Sequence, residues 1–214
     1  MVLDEFYTGT SFDAHSFFGA HEKEKGGFVF RVFAPGAERV ELIGDWNGWN
    51  GASMERDTGG IWSTEAEEAQ AGQLYKFRIY QKDGRVLDKA DPYAFAAELR
   101  PLTASRLVGK SHFRFSDEEW MRNRGLRYDL PMNIYEMHLG SWRRKPEGDF
   151  FTYRELAELL PGYLKENGFT HVEFLPVMEH PLDASWGYQL SGYFSATSRY
   201  GEPVSYTHLT LPTT

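Results

Sequence analysis

From residue 27 the chain alternates with period two. Phe28, Phe30 and Val32 fall on one face and Val29, Arg31 and Phe33 on the other, until Pro35-Gly36 ends the run. Val40 and Leu42 alternate with Glu41 before the break at Gly44, and a third run from Ile61 to Glu67 is entered from Gly59-Gly60. In the fourth, Leu74 to Tyr80, the side chains of Tyr75, Phe77 and Ile79 oppose Lys76, Arg78 and Tyr80. Such alternation predicts half-buried strands. Asp83-Gly84 predicts a hairpin turn, because glycine reaches positive φ at little steric cost. Short strands with turn signals between them, and almost no helical period, predict an all-β, immunoglobulin-like β-sandwich over 27–110. Residues 1–26 are polar and glycine-containing with two aromatic pairs, Phe6-Tyr7 and Phe17-Phe18. They read as an irregular lead-in packed on the sandwich.

Residues 88–132 are less regular. Asp91-Pro92-Tyr93 and Arg100-Pro101 read as turn or extended segments. Ser116 is a candidate N-cap, with Glu119 at N3, for a short helix inside a linker spanning 111–132. Asp129-Leu130-Pro131 marks the boundary to a new grammar, β-α-β, over 133–203. Asn133 to Leu139 is a short apolar strand. Thr152-Tyr153-Arg154-Glu155 has the form of a capping box. Leu156, Leu159, Leu160, Tyr163 and Leu164 then follow the spacing of a core-facing helix. Gly168 suits the C′ position, and Pro161-Gly162 predicts a kink or a split. His171 to Leu175 is the second strand, closed by Pro176. A strand, a crossover helix and a strand imply parallel pairing. The tail, Val204 to Thr214, carries no Asp, Glu, Lys or Arg and no helical period. No helix is expected there.

Composition narrows the function classes. The 214 residues are 41% apolar, enough to bury a core, which excludes wholesale disorder. A formal charge of −8 argues against a nucleic-acid partner, since phosphate binding needs a basic face. No apolar run of about 18 residues exists, so no membrane-spanning segment is expected. The opening MVLDEFYTGTSF lacks the basic and apolar regions of a signal peptide. Zero cysteine removes disulfides, thiolate metal sites and cysteine nucleophiles, and is compatible with the cytoplasm. The 6 Trp, 12 Tyr and 16 Phe stand out. Flat sugar rings stack well on aromatic faces, so carbohydrate binding becomes a candidate.

Two segments could carry that chemistry. Gly44-Asp45-Trp46-Asn47-Gly48-Trp49-Asn50 sits at a strand end, where Trp46 and Trp49 either offer indole to a ligand or close a packed corner. Ser185-Trp186-Gly187-Tyr188-Gln189 follows the strand 171–175. Loops after the strands of a parallel β/α barrel form its active-site face, so these aromatics either stack on substrate or pack the rim. Glu173, Glu179 and His180 lie on the second strand and its exit, and solvated or supporting roles suit them. Glu136 and His138 share one strand face and suit a hydrogen-bonded layer. No residue spacing matches a metal site.

The segments FRVFAPGAERVELIGDWNGWN, LYKFRIYQKDG, DPYAFAAELRPLTASR, NIYEMHLGSWRR and HVEFLPVMEHPLDASWGYQLSGYFSATSRYG together resemble bacterial 1,4-α-glucan (glycogen) branching enzymes, over roughly residues 5–202. The resemblance implies that 27–110 is a family 48 carbohydrate-binding module and that 133 opens the (β/α)8 TIM barrel of family 13 glycoside hydrolases. It implies cleavage of an α-1,4 bond in α-glucan, a covalent glucan–Asp intermediate and transfer to a sugar 6-hydroxyl, with no metal or other cofactor. Tyr188 matches the family tyrosine stacked beneath the sugar at the cleavage point, with Trp186 and Gln189 beside it. Trp49 and Lys76 match glucan-contacting positions of related modules, with Trp46 in the same turn. The second module tryptophan is replaced by Val86, which predicts weak glucan binding by the sandwich. The family's catalytic carboxylates follow later barrel strands, and a complete barrel takes about 250 residues. The sequence therefore reads as a truncated, inactive fragment whose residues 204–214 are foreign to the family pattern. Two other readings share parts of the pattern: a debranching or trehalose-releasing glycosidase, and a non-catalytic α-glucan-binding module.

Overall fold

A computed structural model describes residues 3–111, 114, 117–123, 125 and 129–210. The chain divides into two compact units. The first comprises Met1–Lys110 together with Ser191–Ser195, and the second Ser111–Leu190 together with Ala196–Thr214. The expected helix N-cap Ser116 lies outside the described residues, although a helix does run over Glu118–Asn123.

Ten strands lie in the Met1–Lys110 part of the first unit: β1 (Gly19–Glu22), β2 (Phe28–Phe33), β3 (Ala37–Gly44), β4 (Ala52–Ser53), β5 (Glu55–Arg56), β6 (Ile61–Ala66), β7 (Leu74–Gln81), β8 (Val86–Lys89), β9 (Ala96–Ala97) and β10 (Ser105–Arg106). One sheet has the order β1-β2-β6-β5, the other β4-β3-β7-β10-β9 with β8 also paired to β7. Each of the four alternating sequence runs forms one long strand of this sandwich. The period-two pattern works because Phe28, Phe30 and Val32 of β2 are buried with Val40 and Leu42 of β3, Trp62 of β6, and Tyr75 and Phe77 of β7. On β2 the opposite face carries Val29, Arg31 and Phe33, which stay at least partly exposed. Asp83-Gly84 makes the β7–β8 hairpin, with Gly84 at φ +83° and Tyr80 opposite Val86.

The lead-in is more ordered than its composition suggests. It contains a short helix, α1 (Leu3–Tyr7), a 3₁₀ turn (Ala14–Ser16) and β1, which pairs antiparallel with β2 from Gly19 opposite Arg31 to Glu22 opposite Phe28. Four residues reading Gly-Ala-His-Glu carry no strand pattern of their own. The otherwise open edge of β2 supplies their hydrogen bonds.

The second unit begins with α2 (Glu118–Asn123) and continues through β11 (Ile134–Met137), α3 (Leu139–Trp142), α4 (Tyr153–Glu166), β12 (His171–Phe174) and α5 (Pro203–Leu209). β11 and β12 pair in parallel, with Glu136 opposite Glu173. The capping box of α4 is formed: the Thr152 amide donates to Glu155 Oε2 at 2.7 Å and the Glu155 amide to Thr152 Oγ1 at 3.3 Å. Its C-terminus is a Schellman close around Gly168 (φ +72°), with the Phe169 amide donating to the Leu164 carbonyl at 2.9 Å. Leu156 and Leu160 are buried, with Tyr163 and Leu164 packed against them.

Three details differ from the sequence reading. The helix is not split at Pro161 but runs on to Glu166, because only one hydrogen bond is lost and packing on both sides of the proline holds the rest. Leu159 faces outward at 43% exposure. The tail is helical: Pro203 opens α5, where a missing N–H costs nothing, and Tyr206 and Leu209 pack into the same core as Tyr153. Sequence gives little signal for α5 because it has no side-chain cap and no charged residues.

Candidate functional site

The first candidate region is the turn after β3. Asp45–Asn47 form a 3₁₀ turn in which Asn47 Oδ1 accepts from the Gly44 amide at 3.0 Å. Trp46 turns inward, stacking on Phe30 at 5.4 Å between ring centroids. A Cβ on Gly44 would lie 2.5 Å from the Trp46 ring, so only glycine admits this packing. Trp46 thus takes the packed-corner alternative. Trp49 is half-buried at φ +62°, and its indole N–H donates to Asp45 Oδ1 at 3.0 Å. The other oxygen of Asp45 accepts from the Leu74 amide at 2.8 Å, which ties the Trp49 ring to the start of β7. Lys76 lies opposite Ile43 near the same end of the sheet and donates to Thr103 Oγ1 at 2.9 Å. Trp49 and Lys76 are thus anchored to neighbouring ends of β3 and β7. Val86 is half-exposed and presents no ring.

A cleft within the first unit, about 430 Å³ in volume, had no sequence signal. Phe12, His15, Tyr93, Tyr193 and Phe194 are among the residues lining it. His15 stacks on Phe194, Phe194 on Tyr93 and Tyr93 on Phe18, each at 5.2–5.3 Å. Residues nearly 180 positions apart make this wall, so no local motif could reveal it.

The second candidate region follows β12. Asp183–Ser185 form a 3₁₀ turn ending on Trp186 in the left-handed region at φ +53°. Gly187 follows at φ +87°, where a Cβ would run into the Pro176 carbonyl oxygen. The Trp186 ring stacks on His138, which directly follows β11, at 5.8 Å and an interplanar angle of 23°. Trp186 is 54% and Tyr188 69% exposed, and Gln189 is exposed beside them. The loop therefore presents Trp186, Tyr188 and Gln189 together. Burial first, then the neighbouring His180, Arg144 and Arg199, holds the His138 imidazole below its ordinary range, so it is neutral near pH 7. Glu136 and Glu173 lie side by side on the exposed face of the two-stranded sheet.

Solvated roles for Glu179 and His180 are overturned: they are 6% and 2% exposed. Glu179 Oε2 accepts from the Ser198 amide at 2.7 Å, and Oε1 from Thr197 Oγ1 at 3.2 Å and Arg199 Nη1 at 3.0 Å. Arg199 Nη1 also donates to the His180 carbonyl at 2.7 Å. A buried carboxylate needs such pairing, and the guanidinium comes from the segment 196–199, too far along the chain for spacing to show it. Among the described residues no group of three or more His, Asp or Glu could hold a metal ion, and no helix is long and apolar enough to cross a membrane.

The chain thus joins in sequence a β-sandwich with an aromatic turn and a parallel β-α-β segment with an aromatic loop after its second strand. Residues 17–94 match the family carbohydrate-binding module 48 (isoamylase N-terminal domain). It is 48% identical over 206 residues to the 1,4-alpha-glucan branching enzyme GlgB of Bacillus caldolyticus, covering 92% of this chain and 31% of that protein. It is 45% identical to the enzyme of the same name from Fusobacterium nucleatum subsp. nucleatum, over 92% of this chain and 33% of that protein. The chain thus spans about a third of the length of these curated relatives. The fold is shared with the catalytic module of the glycogen-degrading pneumococcal virulence factor SpuA, at a TM-score of 0.69 and 20% identity over 91% of this chain and 35% of that one.

Proposed function

We propose that this chain is the amino-terminal part of a 1,4-α-glucan branching enzyme, acting on α-glucan in the cytoplasm. In this reading, 27–110 is the glucan-associated module and 111–132 a linker. The β11–α4–β12 segment opens a (β/α)8 barrel, with the ends of β11 and β12 on its active-site face. Tyr188 forms a stacking floor for the sugar at the cleavage point, with Trp186 and Gln189 at its side. The reaction is a retaining transfer: a carboxylate takes the glucan covalently and a sugar 6-hydroxyl, in place of water, releases it. Those carboxylates belong to later barrel strands, so the 214-residue chain binds but does not branch. Trp49 and Lys76 give the module a weak glucan contact. Residues 204–214 remain foreign to the family pattern in this reading.

The observation that carries the proposal is the SWGYQ loop, which presents a largely exposed Tyr188 after β12 in a chain nearly half identical to branching enzymes over 92% of its length. The test is paired. Calorimetric titration with maltoheptaose should show binding that weakens about fivefold or more in Tyr188→Ala, the size of a lost ring contact. Iodine-stained amylose incubated with the chain should keep its absorbance. No binding in the parent chain would overturn the substrate assignment, and genuine branching would overturn the placement of the catalytic carboxylates.

A further inference from the structure

The loop that presents Tyr188 is held in a backbone conformation that tryptophan seldom adopts. Among the described residues only Trp49 and Trp186 have positive φ without being glycine. Such a residue stays in the left-handed region only when its surroundings over-determine it. For Trp186 four restraints are visible. Its amide donates to the Asp183 carbonyl at 3.0 Å. Its ring lies on the His138 imidazole at 5.8 Å between centroids. Gly187 is pressed against the Pro176 carbonyl. Asp183, which opens the turn, is gripped by Arg199: Nε donates to Asp183 Oδ1 at 2.7 Å, and Nη2 stands 2.7 Å from the same oxygen.

The last restraint differs in kind. The Arg199 side chain is 2% exposed and its Nη1 is spent on Glu179, Thr197 and the His180 carbonyl. That buried network sets the position of the guanidinium without reference to the loop. Its remaining edge then reaches a carboxylate that is 52% exposed. A rigid, planar fork anchored on one side and gripping a surface turn on the other transmits the order of the core to the loop.

We propose that Arg199 is a positioning residue, which through Asp183 holds Trp186 in the left-handed conformation and thereby Tyr188 and Gln189 in their presenting arrangement. The proposal rests on the glucan-binding reading of this loop only for its consequence, not for its geometry. The Tyr188 amide donates to the Ser185 carbonyl at 3.0 Å, so the tyrosine moves with the turn.

The test uses the full chain labelled with 5-fluorotryptophan, in which the Trp186 resonance is the one lost in Trp186→Phe. In Asp183→Ala that resonance is expected to shift and broaden while those of the sandwich tryptophans and the melting temperature hold. Asp183→Asn, which keeps an oxygen for the guanidinium, is expected to restore it. Maltoheptaose titrated against the same resonance should bind about fivefold or more weakly to Asp183→Ala, as for a lost stacking contact. An unchanged Trp186 resonance in Asp183→Ala would overturn the positioning role. A shifted resonance with no response to maltoheptaose in any variant would sustain the positioning role and remove the glucan reading.

Discussion

Asp91 shows how one residue can be half legible. Asp91-Pro92-Tyr93 reads as a turn, and the structure makes it one: Asp91 Oδ1 accepts from the Tyr93 amide at 2.8 Å. Sequence spacing gives no hint that Asp91 is 3% exposed or that Oδ2 accepts from the Tyr75 hydroxyl at 2.6 Å. Burial pushes the Asp91 carboxyl up to about 6, against the opposing pull of the Tyr75 hydroxyl and the Tyr93 amide. A carboxyl raised in the folded state binds its proton more tightly there than in the unfolded chain, so protonation stabilises the fold. Between pH 7 and pH 5 this group should add about 1 kcal/mol of stability to the sandwich. Urea unfolding followed by tryptophan fluorescence should show that gain, and Asp91→Asn should flatten the pH dependence. At Trp46 and Trp49 the same limit appears. Composition leaves open which ring is inward, and the closeness of Gly44 to the Trp46 ring, with Phe30 stacked on it, decides for Trp46.

At the scale of elements, α4 is the most legible. Its capping box, buried Leu156 and Leu160, and Schellman glycine all stand in the sequence as local patterns, and each is formed. Helix ends are legible because their partners lie three or four residues away. The Lys145 ammonium first, then the Thr152 amide and hydroxyl, holds the Glu155 carboxyl down to about 2. The cap is therefore complete at neutral pH and is lost as acid takes the pH toward that value. Thr152→Ala should destabilise the second unit by about 1 kcal/mol, read as a lower urea midpoint in far-UV circular dichroism. Local pattern does not settle which flank of α4 faces inward, so it wrongly buries Leu159, and it does not show that α5 forms. Both depend on one core in which Tyr153, Leu156 and Leu160 of α4 meet Tyr200, Tyr206 and Leu209, 40 or more residues further along the chain.

For the whole molecule, the two units differ in how fully their backbones are paired. The sandwich closes two multi-stranded sheets over one core, whereas β11 and β12 form a two-stranded parallel sheet with an exposed face carrying Ile134, Glu136, His171 and Glu173. Two strands cannot close a barrel, and unpaired parallel edges protect amides poorly. Hydrogen exchange followed by mass spectrometry should show the amides of β11 and β12 exchanging at least about tenfold faster than those of β2, β3, β6 and β7, equivalent to at least about 1.4 kcal/mol less protection. Equal protection would mean that α4 and α5 alone suffice to stabilise the parallel pair.

By itself, the sequence determined the elements whose signals are local: four long strands from period-two runs, one helix from its caps and apolar stripe, one hairpin from Asp83-Gly84. Its aromatic motifs also carried the resemblance to glucan-branching enzymes, because the motif residues are close neighbours in the chain. Tertiary structure alone decided which aromatic rings face inward, that the lead-in contributes a sheet edge, and that Glu179, Thr197 and Arg199 form a buried network behind the SWGYQ loop. The physical reason is distance along the chain. Burial and ion pairing are set by whatever segment packs against a residue, and for these residues that segment lies beyond the three or four positions that a helix cap or a tight turn spans.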